Sequence, residues 1–222
     1  MKKLMLALAA VTLLAVPAVA DVLWDQYTPD PNMGAANDSQ GGCFVGAVTH
    51  FQANDVSFAE NVTINSISTV YDYYNDPGLD LSNWATEAYL MIIPKTGNLM
   101  WPTDDPRLYG TVPVTVTIVN IGGSDYQELN ASGLDITLEA GDYWVSFNPI
   151  AMNPIGFTNQ HFIATTQVGD GLMYATVCAG GPWYTSVELF EVNVDSTLLI
   201  EGVGGVVATE GASWGELKAL YR

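Results

Sequence analysis

Alternation of apolar and polar residues in short runs sets the strongest limit on what this chain can fold into. Residues 112–118, 134–138 and 143–147 each alternate with a period of two, and residues 62–71 are rich in β-branched side chains. A period of two with one apolar face is typical of a half-buried antiparallel strand. The sequence therefore predicts an all-β protein built from short strands.

Turn-forming residues separate these runs. Turns are expected at Asp76-Pro77-Gly78, Gly122-Gly123-Ser124, Gly141-Asp142, Gly169-Asp170-Gly171 and Gly180-Gly181-Pro182. Further strands are expected at 44–51, 88–93, 161–166, 172–177, 185–190 and 197–201. About ten short strands divided in this way favour an antiparallel β-sandwich of jelly-roll type, with a closed barrel as the alternative. The lack of an internal repeat in the sequence argues against a propeller or a solenoid.

The first twenty residues have the form of a bacterial secretory signal peptide. Lys2 and Lys3 give a basic start, residues 4–16 form an uncharged apolar run, and Ala18-Val19-Ala20 is an A-x-A cleavage signature. The apolar run is shorter than the roughly 20 residues that a membrane-spanning helix needs. We therefore expect an exported protein, extracellular or at the cell surface, with no transmembrane segment and a mature chain that begins at Asp21.

The mature chain divides into three predicted parts. Residues 21–42 show little periodicity and contain Pro29-Asp30-Pro31-Asn32, which predicts an irregular lead-in. Residues 43–202 carry the strand patterns and form the predicted sandwich domain. Residues 203–222 begin with a glycine-rich exit from the last strand and end in a short predicted helix.

The predicted C-terminal helix has the features of a docking tag. Ser213 and Glu216 have capping-box spacing. The apolar residues that share or border one helical face are Trp214, Leu217, Leu220 and Tyr221. Because so short a helix is unstable alone, we expect it to dock on a surface, which predicts a role in sorting or association.

The charge of the chain excludes two classes of partner. The formal net charge is −18, and loss of Lys2 and Lys3 with the signal peptide lowers it by two to −20. Binding to nucleic acid or to anionic lipid depends on Lys and Arg contacts, so neither partner is expected. The acidity is explained either as a solubility adaptation or as divalent-cation binding.

Cys43 and Cys178 are the two cysteines of the chain. In an oxidising compartment such a pair predicts a disulfide, and each cysteine lies beside a glycine pair that would ease the geometry. The alternative is two buried free thiols, which behave as small apolar groups.

One acidic loop provides the candidate metal site. Asp72, Asn75, Asp76 and Asp80 surround one predicted turn. Carboxylate and amide oxygens suit Ca²⁺, although the loop matches no EF-hand pattern, and solvated loop acids are the alternative interpretation.

Aromatic residues in loop-like stretches provide a candidate ligand site. They are Trp84, Trp101, Trp183 and Tyr184. Exposed rings could stack on sugars of a polysaccharide, and the alternative is that they close the ends of the sandwich core. No catalytic motif accompanies them, and His50 and His161 are widely separated, so no catalytic residues are predicted.

Three segments resemble a group of exported bacterial β-sandwich proteins of unknown function. Residues 52–67 resemble an opening A-D-D-F-x-V … W-x-I-x-S-V pattern, 138–146 resemble an L-x-P-G-x-Y-W-L-S strand, and 195–202 resemble a closing F-R-I-E-G strand. The sequence departs from the group at Asn54 and Ala140. The tail from Ser213 resembles a short terminal tag on exported proteins of some Gram-negative lineages. The resemblance implies an extracellular jelly-roll-like fold and no substrate.

These observations predict a non-catalytic, exported β-sandwich that serves as a surface or extracellular structural protein and associates with itself or with other surface proteins. The alternatives are a calcium-assisted carbohydrate-binding module and, with less support, a glycan-active enzyme whose two carboxylates would have no fixed sequence spacing.

Overall fold

The structure, a computed structural model, describes residues 20–30, 51–73, 80–96, 109–151, 164–166, 168–169, 171, 173–176, 183–191 and 193–204. The strands are β1 (Asp21–Asp25), β2 (Phe51–Phe58), β3 (Val62–Asp72), β4 (Ala85–Pro94), β5 (Tyr109–Pro113), β6 (Thr115–Ile121), β7 (Ser124–Leu138), β8 (Gly141–Ala151), β9 (Thr165–Thr166), β10 (Tyr174–Thr176), β11 (Tyr184–Thr185), β12 (Asp195–Ser196) and β13 (Leu199–Val203). A 3₁₀ turn spans Leu81–Asn83, and a short helix, α1, spans Ser186–Phe190.

The strands form two main antiparallel sheets. The five-stranded sheet has the order β1-β13-β3-β7-β6, and the six-stranded sheet has the order β11-β10-β2-β8-β4-β5. A third, two-stranded sheet joins β12 and β9. The prediction of an all-β antiparallel sandwich is confirmed, whereas the jelly-roll connectivity stays a prediction.

One hydrophobic core lies between the two main sheets. The five-stranded sheet contributes Ile64, Ile67, Leu129 and Ile200, among others, and alternate residues of the six-stranded sheet pack against them: Val56, Phe58, Ala88, Leu90, Ile92, Val145 and Phe147. The alternation along each strand explains this core, because successive side chains of a strand point to opposite faces of its sheet.

Buried polar side chains attach the small sheet to the sandwich. Asn54 of β2 donates from Nδ2 to the Ser196 carbonyl at 2.7 Å, and its Oδ1 accepts from the Ser196 backbone N at 3.2 Å. Thr69 of β3 donates to the Thr197 carbonyl at 2.6 Å. Because buried polar groups are costly when unpaired, these bonds fix β12 over β2 and β3.

Two segments have a secondary structure other than the predicted one. The predicted irregular lead-in is wrong for Asp21–Asp25, which form β1 and pair with β13, because the acids at each end of β1 enclose an apolar Val-Leu-Trp segment. The strand predicted at 185–190 is a helix over Ser186–Phe190. Thr185 accepts from the Glu188 backbone N, and Glu188 accepts from the Thr185 backbone N, a reciprocal capping box that favours the helix.

The alternating run at 112–118 is two strands rather than one. β5 ends at Pro113 in the six-stranded sheet, and β6 begins at Thr115 in the five-stranded sheet. Val114 is the crossing point, and its backbone N donates to the Thr86 carbonyl of β4 at 3.0 Å. Proline cannot donate to a sheet ladder, which explains why the strand breaks here.

Candidate functional site

The predicted calcium loop is only partly described. Asp72 ends β3, Asp80 precedes the 3₁₀ turn, and Asn75 and Asp76 lie outside the described residues. Gln127 connects the two ends of the loop, since its Nε2 donates to the Asp72 carbonyl at 2.8 Å and its Oε1 accepts from Leu81 N. The Asp80 carboxylate accepts from Ser82 N at 2.9 Å and so caps the turn. Among the described residues no group of three metal-ligating side chains is found, and calcium binding stays a prediction.

The predicted aromatic site is distributed over two different clusters. Trp84 packs against the main core between the sheets. Trp183 packs on the opposite face of the six-stranded sheet, and its neighbour Tyr184 is 36 % exposed. Trp101 lies outside the described residues. The structure therefore does not bring Trp84 and Trp183 together. Trp84 packs against the sandwich core, as the alternative interpretation expects, whereas Trp183 packs on the outer face of a sheet, and sugar binding stays a prediction.

The remaining predicted sites fall outside the part of the chain that the structure describes. Cys43 and Cys178, the signal peptide up to residue 19 and the tag residues Ser213, Trp214, Glu216, Leu217, Leu220 and Tyr221 all belong to this group. The disulfide, the export signal and the tag stay predictions.

A second hydrophobic cluster on the outer face of the six-stranded sheet was not anticipated from the sequence. This outer cluster consists of the buried Ala53, Met91 and Trp144, with Ile93, Tyr174 and Trp183 packed around them. The Trp144 and Tyr174 rings meet edge to face with their centroids 4.8 Å apart. The signal that could have revealed the cluster is Trp144 itself, a large indole at a position where the alternation of β8 requires a solvent-facing residue.

One ion pair borders the outer cluster. Lys95 Nζ lies 2.7 Å from Asp55 Oδ2 and 4.7 Å from the centroid of the Trp144 ring. Trp144 is only 3 % exposed, so the ring is not available as an open stacking surface. The outer cluster is thus packed as a second core around Trp144, and the ion pair shields its edge.

Two tyrosines, the buried Tyr71 and the half-buried Tyr27, predict how stability depends on alkaline pH. Burial raises the pKa of Tyr71, whose hydroxyl accepts from Gln52 Nε2 at 3.4 Å. Burial and the hydrogen bond to the Glu128 carboxylate raise the pKa of Tyr27. Both groups are neutral in the folded and unfolded chain below a pH of about 10, and above it only the unfolded chain ionises.

We therefore expect the free energy of unfolding to be unaffected by these groups below a pH of about 10 and to fall above it, by up to about 1.4 kcal/mol per pH unit for the buried Tyr71 and by less for the half-buried Tyr27, which water partly screens. Urea unfolding between about pH 9 and pH 11.5 measures this slope, and the part of the tyrosinate absorbance that comes from Tyr27 and Tyr71 should appear only as the chain unfolds. The double variant Tyr27→Phe, Tyr71→Phe should show a shallower decline, and an unchanged slope in that variant would contradict the assignment.

β6 lies at the end of the five-stranded sheet, and β7 is the only described strand that pairs with it, while the 3₁₀ turn Leu81–Asn83 lies close to it. No residue of β6 is buried, and Ile118 is 47 % exposed. β6 pairs with β7 on one side through a hairpin whose turn residues, Gly122 and Gly123, have φ of 62° and 94°. Positive φ at both positions is typical of the two-residue turns that join such strands.

The hairpin geometry determines which backbone groups of β6 remain available. In a two-residue hairpin the residues that flank the turn exchange hydrogen bonds, and bonded pairs then alternate along the strands. Because Ile121 pairs with Ser124, residues 115, 117, 119 and 121 bond to β7, and Val116, Ile118 and Asn120 direct their N–H and C=O groups outward. The outward N–H of Val114 fits this pattern, since it is taken by Thr86.

The other edges of the two sheets differ from β6. β1 carries Asp21 and Asp25, β5 ends at Pro113, and β11 has two residues. Charges, proline and short length are devices that blunt a sheet edge against pairing. β6 has seven residues with no charge and no proline, which makes it the edge best suited to accept another strand.

Within the described ranges, nothing in the geometry indicates catalysis. The two helices that the structure describes, of three and five residues, are too short to cross a membrane. Comparison with protein-family models, with curated proteins and with solved structures gives no match to the chain.

Proposed function

We propose that this chain is an exported, non-catalytic β-sandwich that works as a cell-surface or extracellular structural protein and associates with itself. The observation that carries the proposal is the uncharged edge of β6, which no second strand among the described residues pairs with, in a protein whose other described edges are blunted. Natural proteins normally prevent their edge strands from pairing with other chains. An edge strand without such a device therefore favours a surface that binds another strand.

The distribution of polar groups also favours a structural role over a catalytic one. Several buried polar side chains of the sandwich join segments of the chain, as in the bonds of Asn54 to Ser196 and of Gln127 to the ends of its loop. The aromatic rings of Trp84 and Trp183 are used in packing. The proposal therefore assigns function to an edge of the fold rather than to a pocket.

The solution mass of the purified chain tests the proposal. We expect a mass above that of the monomer at high protein concentration, with a return to the 23.8 kDa monomer or its processed form on dilution. Light scattering over a concentration series measures this. Repeating the series with Ca²⁺ and with chelator separates metal-dependent association from the edge pairing proposed here. A monomer at every concentration and in both conditions would overturn self-association and direct attention to glycan binding.

The location of the protein is tested by a truncated chain. We propose that residues 212–222 serve sorting or association at the surface, so a chain without them should fold normally but be released from the cell. Circular dichroism establishes the fold of the truncated chain, and fractionation of cells and medium establishes its location. Normal surface retention of the truncated chain would contradict the role of the tag.

A further inference from the structure

We propose that β6 pairs antiparallel with β6 of a second copy of this chain, with Ile118 opposite Ile118 across a two-fold axis. This inference rests on the proposed function and names the surface through which it acts. Pairing of the two edges would join two five-stranded sheets into one continuous sheet of ten strands. The contact is self-complementary, as a two-fold interface requires.

The outward backbone groups fit this register. Val116, Ile118 and Asn120 each present one N–H and one C=O at the edge. With Ile118 on the axis, the two Ile118 residues exchange hydrogen bonds, and Val116 of each copy pairs with Asn120 of the other. Each outward donor then meets an outward acceptor. Among the described residues, no backbone bond outside the β6–β7 ladder reaches these groups.

The position of Thr86 explains why the pairing would be confined to this stretch. At the start of β6 the outward N–H of Val114 is already bonded to the Thr86 carbonyl. At the other end the chain turns at Gly122 and Gly123. The stretch whose outward groups have no backbone partner among the described residues therefore spans Val116 to Asn120 and is centred on Ile118, the residue that is opposite itself in the proposed register.

The charge distribution favours contact between two copies at this edge over contact at their other surfaces. The chain has a formal net charge of −18, so two copies repel each other over most of their surfaces. β6 carries no charge, and Asp125 and Glu128 lie one strand back on β7. In the paired sheet the acids of β7 and of its copy would be separated by three strand spacings, roughly 14 Å.

This separation predicts a strong dependence on salt. At about 0.1 M ionic strength the Debye length is about 10 Å, shorter than the spacing between the facing acids, whereas at about 0.01 M it is about 30 Å. The association constant should therefore rise by at least about tenfold when the ionic strength is raised from about 0.01 M to about 0.1 M. An interface held by ion pairs would respond in the opposite direction.

A proline at the centre of the edge tests the surface itself. In Ile118→Pro the lost N–H is one that faces outward, so the β6–β7 ladder keeps its bonds while an incoming strand loses a donor and meets the ring. We expect the dissociation constant measured by sedimentation equilibrium to rise at least about a hundredfold. Ile118→Ala is the matched control: it removes the same apolar side chain but keeps the N–H, and its effect should stay below about tenfold.

Amide exchange in the unaltered protein gives an independent reading. In concentrated solution the amides of Val116, Ile118 and Asn120 should become protected, while those of Thr117 and Val119 are protected at every concentration because they bond to β7. Absence of this alternating, concentration-dependent protection would overturn pairing through β6. Association that persists in Ile118→Pro would also overturn pairing through β6, but it would support self-association through another surface. A chain that does not associate at any concentration would overturn the proposed function itself.

Discussion

Replacing Gly202 with alanine is expected to destabilise the folded protein by more than about 3 kcal/mol. Gly202 lies in β13, an interior strand of the five-stranded sheet that is paired with β1 on one side and β3 on the other. A Cβ at this position would lie 2.0 Å from the Thr63 carbonyl oxygen and 2.8 Å from a methyl carbon of Leu23. The oxygen belongs to the backbone of β3 and cannot rotate away, so the strands must separate or β13 must shift.

Gly123→Ala is the matched control for this substitution. Gly123 also has a demanding position, with φ of 94° in the β6–β7 turn, but no atom lies within 4 Å of its would-be Cβ. Its effect should be limited to backbone strain of about 1–2 kcal/mol. Urea unfolding followed by circular dichroism compares the two variants. If Gly202→Ala lowered the free energy of unfolding no more than Gly123→Ala does, β13 would have to be able to shift and accommodate the added Cβ, and the prediction would be wrong.

Replacing Trp144 with alanine is expected to cost about 3–5 kcal/mol of unfolding free energy, although Trp144 lies outside the main core. The ring is 3 % exposed and packs against the edge of Tyr174, with Lys95 over its face. Its removal would leave a cavity on the outer face of the six-stranded sheet. Because the indole Nε1 has no hydrogen-bond partner in the part of the chain described, the loss would come from packing and not from a broken hydrogen bond.

Two variants separate the ring from the charge beside it. Trp144→Phe keeps an aromatic ring at the centre of the outer cluster and should recover more than half of the loss. Lys95→Met keeps the aliphatic stem, removes the ammonium group from Asp55 and from the ring, and should cost about 1 kcal/mol. Thermal and urea unfolding measure all three. A loss for Trp144→Ala of less than about 1 kcal/mol would show that the outer cluster is not a second core.

Periodicity predicted the sandwich because a period of two depends only on neighbouring residues. The runs at 62–71, 134–138 and 143–147 became β3, the end of β7 and part of β8 for this reason. The same pattern could not show that the run at 112–118 changes sheets at Val114, since both β5 and β6 alternate. A change of partner is a tertiary event that leaves the alternation intact.

The predicted sites were harder to place, because loop residues carry no pattern that states what they contact. Trp84 and Trp183 looked alike in the sequence and pack on opposite faces of one sheet. Two signals were nevertheless present. Trp144 is an apolar residue at a position where the alternation of its strand calls for a polar one. Thr185 and Glu188 have capping-box spacing, which indicates a helix, although the β-propensity of their neighbours indicated a strand.

The candidate edge could not be recognised without the order of strands. The sequence of Thr115–Ile121 predicts a strand but not its place in a sheet. A strand without charged residues is ordinary when it has a neighbour on both sides. Only its place at the end of the five-stranded sheet turns the lack of charge into an unprotected surface.

The pairing of β1 with β13 has a consequence for how the chain acquires its structure. Asp21 lies opposite Gly202, and β13 also fills the place between β1 and β3. If the chain emerges N-terminus first, during synthesis or export, β1 cannot join the five-stranded sheet until β13 has emerged. β13 is the last of the described strands and is the one that links β1 to β3. Pairings so distant in sequence form slowly. A chain that must pass through a narrow channel in extended form would benefit from this delay, which makes folding an event that follows delivery.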